Sequence, residues 1–392
     1  MKIKEIEIKA VGGIRNLNLQ LDESMSIICG PNGIGKTTIL ESIANIFCVF
    51  STGEIRRNVG SEKGSVTVVI ESEGVLQRQT IEVKEFIPEK SNSASGLYAL
   101  SQKILSIKAN RWFGYMPIDS VKRDLKKSDG DTSSEALKGI IISEVKGWFI
   151  NRQMFSTQPE SLTSEQLHNL EIAKISFSIL NEKFSFSRID GGTFDIMVNT
   201  PTGEIYFEYL SSGFKSCLSI IFGIIKDIEF RFKSPTIKVD EFDGVILIDE
   251  IELHLHPAWQ GIIASALTKV FPKAQFVITT HSPHVIQNAK SNQIIALNSD
   301  NAGDVFQREL KNTKYGFQGW TIEEILLDTM GMESAKTEIY EKMISNFDNA
   351  IDCEDYLKAK EAYDELDLLL HPSNYLRKIL AISLASISEE GK

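Results

Sequence analysis

The segment 30–37, which reads GPNGIGKT, constrains the fold of this chain more than any other feature. It matches the pattern G-x-x-x-x-G-K-[ST] and stands between a short apolar run, 25–29, and a helix pattern from Lys36 to about Phe50. Glycines let such a loop point successive backbone N–H groups at phosphate oxygens, and the following helix adds its dipole. Lys36 would supply charge to the β- and γ-phosphates, and the Thr37 hydroxyl is a ligand for Mg²⁺. The order strand, glycine loop, helix predicts a nucleotide site in an α/β fold.

A second motif lies about 200 residues later, where the segment 244–250 reads GVILIDE. This apolar run predicts a buried strand that ends in two carboxylates. Asp249, at the end of the strand, can hold Mg²⁺ directly or through water. Glu250 is placed to take a proton from an attacking water. Following a glycine loop of this type, the pair indicates nucleotide hydrolysis.

A histidine follows the next apolar run, 275–280, which reads QFVITT. Because ligands bind at the carboxyl ends of strands in α/β sheets, His281 is predicted to contact the γ-phosphate. A zinc site is the alternative, since zinc takes histidine and carboxylate ligands. Its members would be His254, His256, His281, His284 and Glu252. The alternative is disfavoured because His254 and His256 fall in the turn after the acidic strand, where hydrolysis needs a structured loop.

The segment 210–215, LSSGFK, opens a helix predicted over 212–232. A serine at a helix N-cap and the free N–H groups beside it can bind an anion. Serine and glycine before a helix are commonplace, so the segment matters through its position between the glycine loop and the acidic strand.

Together these motifs resemble those of the ATP-binding-cassette ATPases, in the SMC/RecF-like and OLD-like branch. GPNGIGKTT is similar to the Walker A motif of that branch, LSSGFK to its signature, ILIDEIELHLHPAWQ to its Walker B motif and D-loop, and VITTHSP to its His switch. The resemblance covers roughly residues 1–300. It implies an α/β ABC-ATPase head with a mixed sheet and a P-loop helix, here with an α-helical insertion and a C-terminal helical extension. In this family two heads hold two ATP molecules between them, with the P-loop of one head facing the signature of the other.

Carried over to this sequence, the resemblance implies a set of site residues. The nucleotide-binding residues are Gly30, Pro31, Asn32, Gly33, Ile34, Gly35, Lys36, Thr37, Thr38 and, from the partner head, Ser211 and Gly213. The catalytic residues are Lys36, Glu250 and His281, and the Mg²⁺ ligands are Thr37 and Asp249. Ser212 and Phe214 depart from the glycine and the glutamine or glutamate of the usual signature. The arginine of the family's F-R-G segment is missing, which leaves Arg15 as a neighbouring candidate for an adenine contact.

The helical insertion and the segment 319–326, GWTIEEIL, resemble PtuA-type ATPases. Those ATPases serve anti-phage systems such as Septu and some retrons, beside an HNH nuclease. The resemblance implies an ATPase that regulates a separate nuclease, or acts in a retron reverse transcriptase complex, and that has no nuclease activity of its own. The alternative is a RecF-like repair or chromosome-maintenance ATPase that binds DNA directly. A transporter subunit is disfavoured because such subunits usually keep LSGGQ.

The tail is acidic, with sixteen acidic against seven basic residues over 321–392 in a chain of formal net charge −11. The overall acidic charge argues against a surface that binds nucleic acid through positive charge spread over the whole molecule. A local basic groove is still compatible with it. Basic candidates for such a groove are Arg56, Arg57, Lys122, Arg123, Lys126 and Lys127. Apolar stripes of the tail form either a cap on the ATPase or a docking surface for a basic nuclease or a second copy of the chain. They contain Ile322, Ile325, Leu326, Leu366, Leu369 and Leu370.

The resemblance and the predicted elements together divide the chain of 392 residues into four ranges. They are 1–85 and 184–300 for the ATPase core, 86–183 for the mainly helical insertion and 301–392 for the acidic helical extension. No apolar run reaches the 18 residues or more of a membrane span, and the start lacks the apolar core of a signal peptide. Four scattered cysteines without a C-x-x-C pair are typical of thiols in a reducing compartment, so a cytoplasmic location is expected.

Overall fold

The chain divides into a larger unit, Met1–Gly331, and a smaller unit, Met332–Lys392. The structure, a computed structural model, describes residues 1–48, 55–88, 90, 96–111, 117–118, 120, 124, 127–311 and 314–387. None of the helices among these residues is long and apolar enough to cross a membrane. The division into four ranges stays a prediction.

An antiparallel sheet of four strands forms one layer of the larger unit. In chain order its strands are β1 (Lys2–Val11), β2 (Ile14–Gln20), β4 (Gly64–Ser72) and β5 (Val75–Val83), and their order across the sheet is β2-β1-β4-β5. Apolar and polar side chains alternate along β1 and β2, as expected for strands with one buried face. Strands β4 and β5 form a hairpin that turns at Ser72–Val75.

A six-stranded sheet forms the second layer. Its strands are β3 (Met25–Cys29), β6 (Ile104–Ile107), β10 (Val245–Ile248), β11 (Gln275–Thr279), β12 (Ile294–Ser299) and β13 (Val305–Gln307). Their order is β13-β12-β3-β11-β10-β6, and every pair is parallel except β12 with β13. The carboxyl ends of β3, β11, β10 and β6 therefore lie at one edge of the sheet, where α/β proteins bind ligands. The mixed α/β fold predicted from the sequence is confirmed.

The six-stranded sheet separates two hydrophobic cores, and β10 contributes to both. Val245 and Leu247 pack with the antiparallel sheet and with helix α1 (Lys36–Ile46), whereas Ile246 and Ile248 pack on the opposite side. All four side chains are at most 1% exposed. Each such burial stabilises the fold by about 1.5–3 kcal/mol, so this short strand is strongly held in register.

Helices cover the second face of the sheet. They are α3 (Val145–Phe155), α4 (Ser164–Leu180), α5 (Ser212–Arg231), α6 (Pro257–Val270) and α7 (Pro283–Gln287). Helix α2 (Asp129–Lys138) contributes Ala136 and Leu137 to the core on the other side, which it shares with α1. Residues 129–180 contain the three helices α2, α3 and α4, which the segments 139–144 and 156–163 separate. Ser128 and Thr163 form capping boxes that start α2 and α4. A small sheet of β7 (Ser185–Ile189), β8 (Ile196–Thr200) and β9 (Gly203–Tyr206) precedes α5.

The region from Trp320 is helical but not continuous. A short helix, α8 (Ile322–Glu324), continues into a π-turn over Ile325–Thr329, and the smaller unit contains α9 (Glu338–Asp352), α10 (Tyr356–Leu369) and α11 (Leu376–Ser386). The apolar residues predicted in stripes along this region include members of two separate cores. Ile325 is buried in the core of the larger unit, whereas Leu366 and Leu370 are buried in the small core of the second unit.

Candidate functional site

The glycine loop follows β3 at the expected edge of the sheet. Gly30, Gly33 and Gly35 have φ angles of 144°, 76° and 103°, a region that residues with a Cβ rarely adopt. A Cβ on Gly30 would also lie 2.5 Å from the carbonyl oxygen of Leu297. The loop therefore requires glycine at these positions, and α1 begins directly after it at Lys36.

Lys36 is buried against this loop. Its Nζ donates hydrogen bonds of 2.9 Å to the carbonyl oxygens of Gly30 and Pro31. Burial lowers the pKa of Lys36, while the carboxylates of Asp249, Glu250 and Glu252 act in the opposite direction. The ammonium of Lys36 is therefore held by the backbone carbonyls of its own loop.

Asp249 connects three elements at the edge of the sheet. The Thr37 hydroxyl, on α1, donates to its carboxylate at 3.1–3.2 Å, and the Thr279 hydroxyl, at the end of β11, donates to Oδ1 at 2.6 Å. The backbone N–H of Asp249 donates to the carbonyl of Ile107 at the end of β6. The two predicted Mg²⁺ ligands are thus brought together.

Glu250 has an unusual backbone conformation, with a φ angle of 47°. Left-handed φ angles are uncommon for residues other than glycine and persist only where the surroundings hold them. The backbone N–H of Glu250 donates to the Thr279 hydroxyl at 2.8 Å, and its carbonyl accepts from Nη2 of Arg111. Both peptide groups that flank this left-handed residue are therefore fixed, and its carboxylate projects from a defined point.

Glu252 joins the turn after β10 to the loop after β11. Its two carboxylate oxygens accept from the Thr280 hydroxyl at 2.7 Å and from the backbone N–H of His281 at 2.5 Å. The His281 ring is half-buried, and this burial, together with the positive charge of Lys36, lowers its pKa. The shift favours the neutral form of the ring, in which one nitrogen carries an N–H donor and the other is an acceptor.

The zinc alternative has no support in the described part of the chain, where no group of three or more His, Cys, Asp or Glu side chains could hold a metal ion. His256 instead caps α6, with Nδ1 accepting from the backbone N–H of Ala258. His254 is exposed and has a φ angle of 65°. The histidine-rich segment therefore forms the turn that leads from the acidic strand into α6.

The segment around Ser211 forms the start of α5. Ser211 is exposed and caps the helix, its hydroxyl accepting from the backbone N–H of Phe214 at 3.4 Å. Gly213 is buried beneath Trp259 of α6, where an added Cβ would lie 2.5 Å from the indole. The Phe214 ring packs against Trp259 with centroids 4.9 Å apart. These contacts explain the aromatic residue that departs from the usual signature, since Phe214 is part of the core.

The basic candidates for a nucleic-acid groove are mostly engaged. Arg56 and Arg57 donate to the carbonyls of Pro88 and Ser61, and Lys127 pairs with Glu135 and with the buried Asp227. The remaining candidates, Lys122, Arg123 and Lys126, lie outside the described residues. Arg15, the candidate for an adenine contact, pairs with Asp304 at 3.1 Å.

Three residues of the site were not assigned a role from the sequence. Thr279 lies within the quoted VITTHSP segment, but its contact with Asp249 depends on the register between β10 and β11. Glu252 was considered only as a zinc ligand. Arg111 had no sequence signal, because it follows β6, a strand of four residues that was not predicted.

Comparisons with known proteins place these features in a family context. The protein-family model described as "AAA ATPase domain" matches residues 1–87. A second family model, described as "AAA domain, putative AbiEii toxin, Type IV TA system", matches residues 85–287. The chain is 44% identical over 386 residues to the "Septu protein PtuA" of Bacillus thuringiensis, covering 98% of each chain. It is 30% identical over 196 residues to the "Retron Ec83 probable ATPase" of Escherichia coli, covering 50% of this chain and 34% of that one. The SMC head domain from Thermotoga maritima aligns with 79% of this chain and 100% of its own, at 14% identity and a TM-score of 0.47.

Proposed function

Because the chain belongs to the Septu PtuA family of AAA-type ATPases, we propose that it binds and hydrolyses ATP as the ATPase subunit of an anti-phage defence system. The observation that carries the ATPase part is the contact of Thr37 with Asp249, which unites the end of the glycine loop with the acidic strand. The match with PtuA, 44% identical over nearly the full length of both chains, favours the defence role over the RecF-like repair role.

The donor set at this contact fits Mg²⁺. The Thr37 hydroxyl and the Asp249 carboxylate are hard oxygen donors, which this cation prefers, and the sites it occupies in proteins often use one or two carboxylates beside phosphates. When bound there, Mg²⁺ would neutralise charge on the β- and γ-phosphates. Thr279 keeps the Asp249 carboxylate oriented for this role.

Each remaining residue has a defined task in the proposed mechanism. Lys36 exchanges the carbonyls of Gly30 and Pro31 for oxygens of the β- and γ-phosphates. Glu250 accepts a proton from the attacking water at its carboxylate. The neutral ring of His281 donates its N–H to the γ-phosphate, and Glu252 fixes the backbone from which that ring projects.

We further propose that two heads close on two ATP molecules, with Ser211 reaching the γ-phosphate bound by the other head. The exposure of Ser211 and its place at the start of a 20-residue helix support this role, because free backbone N–H groups at a helix N-terminus attract phosphate. Gly213 lies under Trp259, so its proposed part is to let the helix start approach α6 closely.

The proposed partner is a separate HNH-type nuclease, with or without a retron reverse transcriptase and nucleic acid. The smaller unit supports a docking role because it exposes large apolar side chains on α10 and α11, among them Leu357, Leu368 and Ile382. An acidic surface steers a basic partner and apolar residues anchor it. A cytoplasmic location remains a prediction from the cysteine pattern.

The ATPase proposal is tested by calorimetry with Lys36→Ala. We expect the affinity for ATP with Mg²⁺ to fall by about tenfold or more, since a charge-assisted hydrogen bond contributes roughly 1.5–3 kcal/mol. Lys63→Ala is the control, because Lys63 is an exposed lysine paired with Glu82. Unchanged affinity in Lys36→Ala would contradict the assignment of the loop.

The partner proposal is tested by ending the chain after Gly331, where the larger unit ends. The purified full chain should hydrolyse ATP but cleave neither DNA nor RNA with Mg²⁺ or Mn²⁺. The shortened chain should still bind ATP and should fail to retain the HNH nuclease in a pull-down. Cleavage that survives purification, or retention by the shortened chain, would contradict the proposal.

A further inference from the structure

Arg111 is a buried cation beside the candidate ATP site. It follows β6, the strand that pairs in parallel with β10, and therefore lies at the edge of the sheet that carries Asp249 and Glu250. Arg111 as a whole is only 7% exposed to solvent. Burying a guanidinium is unfavourable unless it is paired, so we looked for the groups that pair with Arg111.

The hydrogen bonds of Arg111 are incomplete among the residues that the structure describes. Nη2 donates to the carbonyl oxygen of Glu250, whereas Nε and Nη1 are buried and have no hydrogen-bond partner there. Buried donors of this kind are nearly always satisfied in native proteins, and an exception points to an ion, water or ligand. The free donors make Arg111 a candidate for binding an anion.

The carboxylates around Arg111 are the same ones that surround Lys36, which places Arg111 at the candidate ATP site. Glu252, Asp249 and Glu250 are the carboxylates that act on Arg111, and the same three act on Lys36. Burial lowers the pKa of Arg111 to about 10, which leaves it positively charged at neutral pH. Two cations thus share one acidic cluster, and Lys36 is the one expected to contact the β- and γ-phosphates.

We propose that Arg111 binds oxygens of the terminal phosphate of ATP through Nε and Nη1, while Nη2 retains its hydrogen bond to the Glu250 carbonyl. The proposal rests on the ATPase function proposed above. A guanidinium presents planar, fixed donors that suit phosphate oxygens. Because the same group fixes the left-handed backbone of Glu250, arrival of the terminal phosphate is linked directly to the position of the proposed base.

The test compares the affinities for ATPγS and ADP, each with Mg²⁺, by calorimetry. We expect Arg111→Gln to lower the affinity for ATPγS by about tenfold or more, because a hydrogen bond to a charged group is lost, while the affinity for ADP changes less than about threefold. Lys36→Ala should weaken both ligands. Arg78→Gln, which removes an exposed arginine paired with Glu7, should change neither.

The outcomes separate this inference from the ATPase proposal. If the unchanged chain binds neither ligand, the ATPase proposal fails; if it prefers ATPγS and Arg111→Gln keeps that preference, only the role of Arg111 fails. Arg111→Lys is the second variant, and it should fold and retain part of the preference because the charge remains without the planar donors. Tight binding of orthophosphate alone at Arg111, unaffected by ADP, would overturn the assignment to the terminal phosphate.

Discussion

The hydroxyl of Thr279 donates to Oδ1 of Asp249 across 2.6 Å, and its oxygen accepts from the backbone N–H of Glu250 at 2.8 Å. One side chain at the end of β11 therefore orients both acids at the end of β10. The two proposed functions of these acids, metal binding and proton transfer, depend on a residue that takes part in neither.

Thr279→Val tests this relationship with a side chain of nearly the same shape. Because Thr279 is fully buried, loss of its hydroxyl leaves partners unsatisfied, and the free energy of unfolding should fall by about 1–3 kcal/mol. The kcat for ATP should fall by about 10–100-fold, as is usual when a residue that orients a metal ligand is lost. Thr279→Ser keeps the hydroxyl and should retain most activity. Equal kcat in Thr279→Val and the unchanged chain would show that the acids are oriented without it.

Glu250→Gln should preserve ATP binding and slow hydrolysis by roughly 10²–10⁴-fold, the usual contribution of a general base. The amide fits the same space but cannot accept the proton. If the proposed pair of heads opens on hydrolysis, the variant should accumulate as an ATP-bound dimer, measurable by light scattering. Glu241→Gln changes an exposed glutamate and serves as the control. Normal turnover in Glu250→Gln would identify another group as the base.

The His281 ring should titrate below its ordinary pKa of 6.5, since burial and Lys36 both disfavour its charged form. NMR of histidine-labelled protein can follow it, with the signal identified by its loss in His281→Gln. Lys36→Ala should raise the His281 pKa because one source of positive charge disappears, and Lys63→Ala should leave it unchanged. A His281 pKa at or above 6.5 in the unchanged chain would contradict this account.

Ser211 should act on the nucleotide of the other head. Ser211→Arg and Lys36→Ala chains, each inactive alone, should regain partial ATPase activity when mixed, because one site of the mixed dimer combines an unchanged loop with an unchanged helix start. Differently tagged chains verify that mixed dimers form. Absence of recovery in verified mixed dimers would indicate a site completed within one chain.

The parts of the site that follow from local sequence could be predicted. The glycines at 30, 33 and 35 are needed locally for left-handed backbone, and the apolar runs before Asp249 and His281 have the length of buried strands. Because parallel strands end at one edge, these motifs were expected to meet, and they do. The α/β fold follows from the same alternation of strands and helices.

The parts that depend on distant pairing could not be predicted. Strand β6 has four residues, and it pairs with β10 across a separation of about 140 residues, so nothing in its own segment indicates a strand. Arg111 owes its position to that pairing. Among the apolar residues of the tail, Ile325 belongs to the core of the larger unit, and Leu366 and Leu370 belong to the core of the smaller one, a division that the local pattern does not show.

The division of β10 between two cores limits how its gene segment can change in length. A codon deleted or inserted in this strand can shift its register by one residue. Such a slip would turn Val245 and Leu247 toward the helical side and Ile246 and Ile248 toward the opposite one. The same slip would rotate the two acids, so that hydrolysis and folding would be lost by one event. Length variation among functional sequences should therefore avoid this strand and fall in the connections beyond the acidic pair.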